Sequence, residues 1–252
     1  MAVKHGSTAK RTLLAFDFDH TICEENTDIF VLRLLEGKEL PEEISVLRKT
    51  AGWTKYMQAI FEFLHDQGIG GDAIRAHMQR APLVSGMVEF FQHIRLNRDT
   101  YDCIIISDSN SLFIWYILHY CRLEDIFPSN SVYTNPARLD EDDCLRIEYH
   151  HQNSTCRMSA DNLCKGRVLE EHMDRFHTQH SQHYQSIVFF GDGMNDYCPS
   201  TRLGTADYVA ARKGYKLLDK INQDPAKVKA GIVPWTDGKD LLNFIHNFEK
   251  SL

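Results

Sequence analysis

The sequence predicts an α/β fold, an open parallel sheet with helices between its strands and a site at the strands' carboxyl ends. Three observations lead there. Thr12-Leu13-Leu14-Ala15-Phe16, Asp102-Cys103-Ile104-Ile105-Ile106 and Ser186-Ile187-Val188-Phe189-Phe190 are apolar runs of strand length. Each runs into acidic or hydroxyl residues, and each is followed by a helix. Strands that alternate with helices form parallel sheets, which bind ligands where the strands end.

The first strand stops on Asp17-Phe18-Asp19-His20-Thr21. Carboxylates spaced i, i+2 leave a sheet edge on the same side, where they can share one cation and one phosphate. A single Asp-x-Asp is also an ordinary strand end with solvated aspartates, so the later segments carry weight. The second strand runs into Ser107-Asp108-Ser109-Asn110, and a helix is expected from about Ser111 to Tyr120, capped by Ser109 or Asn110. Such a turn offers free backbone N–H groups and the positive end of a helix dipole, with which a Ser107 hydroxyl could share a phosphate oxygen. Lys165 opens a helical pattern that continues through Val168, Leu169, His172, Met173 and Phe176. A lysine in a first helical turn opposes the dipole, which implies a compensating anion. The third strand, Ser186 to Phe190, breaks into Gly191-Asp192-Gly193-Met194-Asn195-Asp196, where two glycines permit a tight turn and two carboxylates again leave a strand end.

Read in order, Asp-x-Asp-x-Thr, Ser, Lys and Gly-Asp-Gly-x-Asn-Asp resemble the four motifs of the haloacid dehalogenase-like phosphatases. Glu25-Asn26-Thr27-Asp28, Cys103 to Ser111, Thr134-Asn135-Pro136-Ala137, Asn162-Leu163-Cys164-Lys165, Cys198-Pro199 and Arg212-Lys213-Gly214-Tyr215 narrow the resemblance. They are similar to the family of pyridoxal phosphate phosphatases and phosphoethanolamine/phosphocholine phosphatases, over about residues 12 to 240. Ser109-Asn110-Ser111 and Lys213-Gly214-Tyr215 look closer to the pyridoxal phosphate branch.

That resemblance implies a Mg²⁺-dependent phosphomonoesterase with a Rossmann-like core and a helical cap. Asp17 would be the nucleophile and form an aspartyl-phosphate, while Asp19 would serve as general acid and then general base. Two carboxylates beside a dianionic phosphate need a cation. The Asp17 side chain, the Asp19 backbone carbonyl and the Asp192 side chain would hold Mg²⁺, with Asp196 orienting metal-bound water. Ser107, Lys165 and the Phe18 N–H would surround the phosphate oxygens. Thr21 would brace the turn, and His20 occupies a variable position. A catalytically idle phosphate-sensing module is the alternative of another class, but every candidate catalytic group is present.

Residues 1–25 and 84–252 read as the core, and residues 26–83 as a helical cap inserted between the first two motifs. The insertion carries Ile29, Leu32 and Leu35, then Trp53, Tyr56, Met57, Ile60, Phe61 and Leu64 at helical spacing. Core packing is the simpler reading for Trp53 and Tyr56, and substrate contact the other. Asp28 and Asp108 either meet a cationic leaving group, such as choline, ethanolamine or a protonated pyridoxal-type ring, or cap helices. Pyridoxal 5'-phosphate is the first expected substrate and phosphocholine or phosphoethanolamine the second.

Further along, Tyr133-Thr134 and Leu145 to Glu148 are expected to form a hairpin or edge strands across the acidic turn Asp140 to Asp143. Strands are expected at Asp207 to Ala210 and Ile232 to Pro234, with a helix from Gly238 toward Lys250. Members of the resembled family carry Cys-x-x-Cys-Pro before the lysine segment, but here Cys156 is followed by Arg157, Met158, Ser159 and Ala160. The spacing therefore does not support a zinc site on His150, His151, Cys156 and Cys164, and the segment reads as a polar loop.

The 252 residues, 43% of them apolar, can bury a sizeable core, and a net charge of -7 with no basic stripe argues against nucleic acid or anionic membrane as partner. Seven cysteines fit a reducing compartment. Without an apolar leader after Lys4, Lys10 and Arg11, and without a spanning segment, a cytoplasmic protein acting on a small molecule is expected. Lys250-Ser251-Leu252 resembles but does not match a peroxisomal address, and the Asn153-Ser154-Thr155 sequon is read as chance.

Overall fold

The computed structural model describes residues 11–250. Lys4, Lys10 and the Ser251-Leu252 end lie outside them. Strand β1 (Thr12–Phe16) is followed by a helical stretch, α1 (Thr27–Phe30), α2 (Glu42–Thr50), α3 (Trp53–Asp66) and α4 (Gly71–Met78). Helix α5 (Met87–Leu96) leads to β2 (Tyr101–Asn110), α6 (Ser111–Tyr120), β3 (Val132–Asn135), and a ribbon of β4 (Ala137–Leu139) and β5 (Leu145–Ile147). Next come α7 (Lys165–His180), β6 (Ser186–Gly191), α8 (Tyr197–Ser200), β7 (Tyr208–Arg212), α9 (Lys216–Gln223), β8 (Gly231–Trp235) and α10 (Gly238–Glu249).

Six strands form one sheet in the order β3-β2-β1-β6-β7-β8, and every pairing is parallel. The chain winds outward from β1 to one edge, then returns to β6 and winds to the other. The order therefore reverses beside β1, and a crevice opens at its carboxyl end. Alternate side chains leave opposite faces of each strand. Leu14, Phe16, Ile105 and Phe190 join the core under α5, α6 and α10, and Leu13, Ala15, Ile104 and Phe189 join the core under α7 and α9. Apolar side chains on both faces explain why these strands read as continuous apolar runs rather than alternating ones.

Residues 24 to 83 depart and return through a narrow neck. Cys23 and Leu83 form an antiparallel bridge, the Glu24 N–H donates to the Pro82 carbonyl at 2.9 Å, and the Val84 N–H donates to the Ile22 carbonyl at 3.0 Å. Within this stretch α3 buries Tyr56, Met57, Ile60, Phe61 and Leu64, as the spacing predicts. Phe61 meets Phe113 of α6 edge-on at 5.6 Å. Trp53 is half-buried and Ile29 is exposed, while Phe30 and Val31 turn inward.

Of the two readings for Tyr133-Thr134 the edge strand holds: it forms β3 at the edge of the main sheet, while the hairpin reading is corrected, because the partner of Leu145–Ile147 is Ala137–Leu139. The acidic turn between β4 and β5 is not simply solvated. Asp143 Oδ2 accepts the Gly71 N–H at 2.8 Å at the start of α4, and Asp140 accepts from Arg146 Nε at 2.7 Å. The small ribbon is thereby tied to the helical stretch, a long-range pairing that no local pattern encodes.

Candidate active site

Register places the site. Phe16 pairs with Ile105 on one side and Phe190 on the other, and the Asp17 N–H donates to the Phe190 carbonyl at 2.9 Å. The residues that follow these strands therefore meet. Asp17, Asp19, Asp28, Ser107, Asp108 and Asp192 all line one cavity of about 570 Å³ at the crevice.

Asp17 is held firmly. Its Oδ1 accepts from Lys165 Nζ and from the Phe18 N–H, both at 2.7 Å, leaving Oδ2 without those donors. Lys165 also reaches Asp196 Oδ1 at 2.7 Å. Burial by itself would push the Lys165 ammonium down, but Asp17, Asp196 and Asp108 together hold it above its ordinary value. The anion expected opposite a first-turn lysine is thus a pair of carboxylates. Lys165 and Phe18 are buried, and both donate to the same oxygen of Asp17.

Carboxylate oxygens of Asp17, Asp192 and Asp196 lie within 4.8 Å of one another, all on buried residues. Burial, then the like charges of Asp17 and Asp196, push the Asp192 carboxyl up to about 9. Clustered buried carboxylates that outnumber their one ammonium suit a hard divalent cation with oxygen ligands. Asp196 is built more tightly into this cluster than the sequence suggests. Its Oδ2 accepts the N–H groups of Asp192 at 3.0 Å and Gly193 at 2.9 Å. Gly191 is needed for space rather than for a special backbone angle, because a Cβ there would sit 2.6 Å from the Asp196 carboxylate.

Asp19 accepts from the Thr27 hydroxyl at 3.2 Å through Oδ2, and its buried Oδ1 has no partner among the described residues. Burial, then Asp28 and Asp17, raise its pKa well above the carboxylate range, which favours a protonated acid. His20 adopts a left-handed φ of 55°, and Arg212 locks the turn by donating to the His20 carbonyl at 2.7 Å while pairing with Glu24. The expected brace, Thr21, is buried with a hydroxyl that has no partner among the described residues, so the bracing falls to Arg212.

Asn26 caps α1 and Asn110 caps α6, which removes the helix-cap reading for both Asp28 and Asp108. Ser109 does not cap either, as its hydroxyl meets Thr27 at 2.7 Å. Asp28 Oδ2 accepts from Trp53 Nε1 at 2.6 Å, and its Oδ1 is buried and unpartnered among the described residues. Burial pushes the Asp28 carboxyl up to about 7, against the opposing Trp53 bond. Asp108 accepts from Asn195 at 2.7 Å and is also raised, chiefly by burial. Ser107 lines the cavity, and its hydroxyl accepts the Ser109 N–H at 3.2 Å. Sequence reasoning did not assign Asn195, Tyr215 and Lys216 to the site, yet they line the cavity too. Asn195 sits inside the quoted glycine-rich turn, which was the available signal for it.

The sequence profile described as "Putative Phosphatase" matches residues 12–248. Pyridoxal phosphate phosphatase PHOSPHO2 of Homo sapiens is 38% identical over 238 residues, covering 93% of this chain and 97% of that protein. The phosphoethanolamine/phosphocholine phosphatase of Homo sapiens is 30% identical over 247 residues, covering 96% and 91%. Among solved structures, phosphoserine phosphatase in apo form superposes with a TM-score of 0.60 at 17% identity, covering 93% of this chain and 99% of that one, which shows the fold. Matching along nearly its whole length, the chain belongs to the haloacid dehalogenase-like phosphatases, in the family that holds these PHOSPHO2 and phosphoethanolamine/phosphocholine relatives, and is a phosphatase of that type.

Proposed function

We propose that this phosphatase hydrolyses the monoester of a small phosphorylated metabolite, pyridoxal 5'-phosphate first and phosphocholine or phosphoethanolamine second, through an aspartyl-phosphate on Asp17. The observation that carries the reading is the pinning of Asp17 Oδ1 by Lys165 and Phe18 while Asp17, Asp19 and Asp192 share one cavity. A carboxylate fixed through one oxygen presents the other to phosphorus without paying for orientation in the transition state.

Asp17 Oδ2 attacks phosphorus, and the ester oxygen departs with the proton of Asp19. The ionised Asp19 then takes a proton from water as that water attacks the same phosphorus, which frees phosphate and restores Asp17. Lys165 holds Asp17 ready, and Ser107 meets a phosphate oxygen beside the start of α6. The side chains of Asp17 and Asp192 and the backbone carbonyl of Asp19 would hold Mg²⁺, with Asp196 alongside. When bound, that ion offsets the negative charge that otherwise repels a phosphate dianion. Phosphate release from p-nitrophenyl phosphate, measured with Mg²⁺ and with EDTA, tests this. Release equally fast in EDTA would overturn the metal requirement, and no release under either condition the activity.

Residues 26–83 act in this reading as a cap that excludes water and limits the site to small molecules. The neck at Cys23 and Leu83 supports it, as do Asn26, Asp28 and Trp53 at the cavity wall. Asp28 and Asp108 face the leaving group. The unpartnered Asp28 Oδ1 suits a cationic or protonated ring group, and the names of the relatives support such substrates. Asp28→Asn is expected to raise KM for a cationic substrate such as phosphocholine about tenfold, the worth of one charged hydrogen bond, and to leave p-nitrophenyl phosphate nearly unchanged. Equal effects on both would remove Asp28 from the leaving-group contact. Ranking the three natural candidates by kcat/KM decides among them. A cytoplasmic location completes the reading, supported by seven unpaired cysteines. Among the described residues no helix is long and apolar enough to cross a membrane.

A further inference from the structure

We infer that Cys156, Cys164 and Cys198 form a second metal site, separate from the carboxylate cluster, that takes a thiophilic divalent cation of the zinc type. The Sγ atoms of Cys156 and Cys198 lie 3.4 Å apart and those of Cys164 and Cys198 3.7 Å apart, with all three within 4.8 Å of one another. A tetrahedral ion with metal–sulfur bonds of about 2.3 Å spaces its sulfurs about 3.8 Å apart. A disulfide, by contrast, brings one pair to about 2.05 Å and leaves the third sulfur unused. The other four cysteines, Cys23, Cys103, Cys121 and Cys144, join no such group among the described residues.

Three remote segments converge to make the cluster. Cys156 lies in the loop before α7, Cys164 is the N-cap residue of α7 without a side-chain cap bond, and Cys198 sits in α8. Gly166 clears the approach, because a Cβ there would stand 2.7 Å from Cys198 Sγ. Three thiolates and a divalent ion leave one negative charge, which faces Arg202 and the positive end of α7. The fourth position falls to the Ser159 hydroxyl, 3.5 Å from Cys156 Sγ, or to water. The histidines that first suggested zinc are turned to other work. His151 Nε2 accepts the Cys164 N–H at 3.1 Å, and His150 Nδ1 meets the Thr134 carbonyl at 3.2 Å. Cys156 is only half-buried and gives the ion a way in, while Cys164 and Cys198 are closed off. Cys164 precedes Lys165 and Cys198 lies two residues past Asp196, so the ion would clamp both ends of the buried Lys165–Asp196 pair.

Elemental analysis of the full chain, purified under reducing conditions with zinc and then dialysed, tests the site. About one zinc per chain is expected. Asp192→Ala should keep that zinc and Cys198→Ser should lose it. Because Cys198→Ser could fold poorly, Co²⁺ is added to the native chain, where thiolate-to-metal charge-transfer absorption is expected. Ser159→Cys supplies a fourth thiolate and should hold zinc at least about tenfold more tightly against a competing chelator. Zinc lost in Asp192→Ala but kept in Cys198→Ser would overturn the inference. So would a Co²⁺ spectrum without thiolate bands, or a Cys156–Cys198 disulfide in the reduced preparation.

Discussion

Asp17→Asn is expected to lower kcat by at least about 10⁴-fold, the scale seen when a covalent nucleophile is removed, while the chain stays folded. The amide keeps the shape of the side chain and an oxygen for Lys165 Nζ and the Phe18 N–H, and Lys165 retains Asp196. What it loses is the charge that attacks phosphorus. Steady-state turnover of p-nitrophenyl phosphate beside the circular dichroism of both proteins checks this. Turnover within about tenfold of the native chain would assign the nucleophile elsewhere.

Asp192→Ala is expected to raise the Mg²⁺ needed for half-maximal activity by at least about 10²-fold, the cost of a lost ligand or a group that orients one. The metal-free protein should respond in the opposite sense. Asp192 is held near 9 by burial, Asp17 and Asp196, well above the ordinary 3.8. An acid whose folded pKa is raised binds its proton more tightly in the native state. Its stabilising contribution is full below the unfolded value and is lost as pH climbs through the folded one. Metal-free native protein should therefore lose stability relative to Asp192→Ala between about pH 4 and pH 9, and saturating Mg²⁺ should cancel the difference. Thermal melts of both proteins across that range, with EDTA and with Mg²⁺, give the answer. An unchanged metal titration removes Asp192 from the coordination shell, and parallel melting curves in EDTA remove it from the buried charge cluster.

The carboxylates were legible because strand chemistry is local. Thr12–Phe16 and Ser186–Gly191 are apolar on both faces, so their ends announce themselves where Asp17 and Asp192 begin. The helix from Ser111 and the one from Gly238 were legible for the same reason, since periodicity and caps lie within one turn. Tyr133-Thr134 stayed open between hairpin and edge strand because a four-residue strand carries too little pattern to name its partner, which is β2. The roles of Asp28 and Asp108 were open between cap and site. Only the Asn26 and Asn110 bonds resolved them away from capping.

From its amino acids alone, the chain specifies a parallel α/β sheet, the acidic strand ends and the order of the four motifs, since each depends on neighbours a few positions away. Folding alone decides what touches what. Lys165 between Asp17 and Asp196, Trp53 on Asp28, Arg212 across the His20 turn and Cys198 among the other two thiols join residues 25 to 192 positions apart. Pairings of that length are set by sheet register and helix packing, which accumulate over the whole core and leave no periodic trace in any one segment.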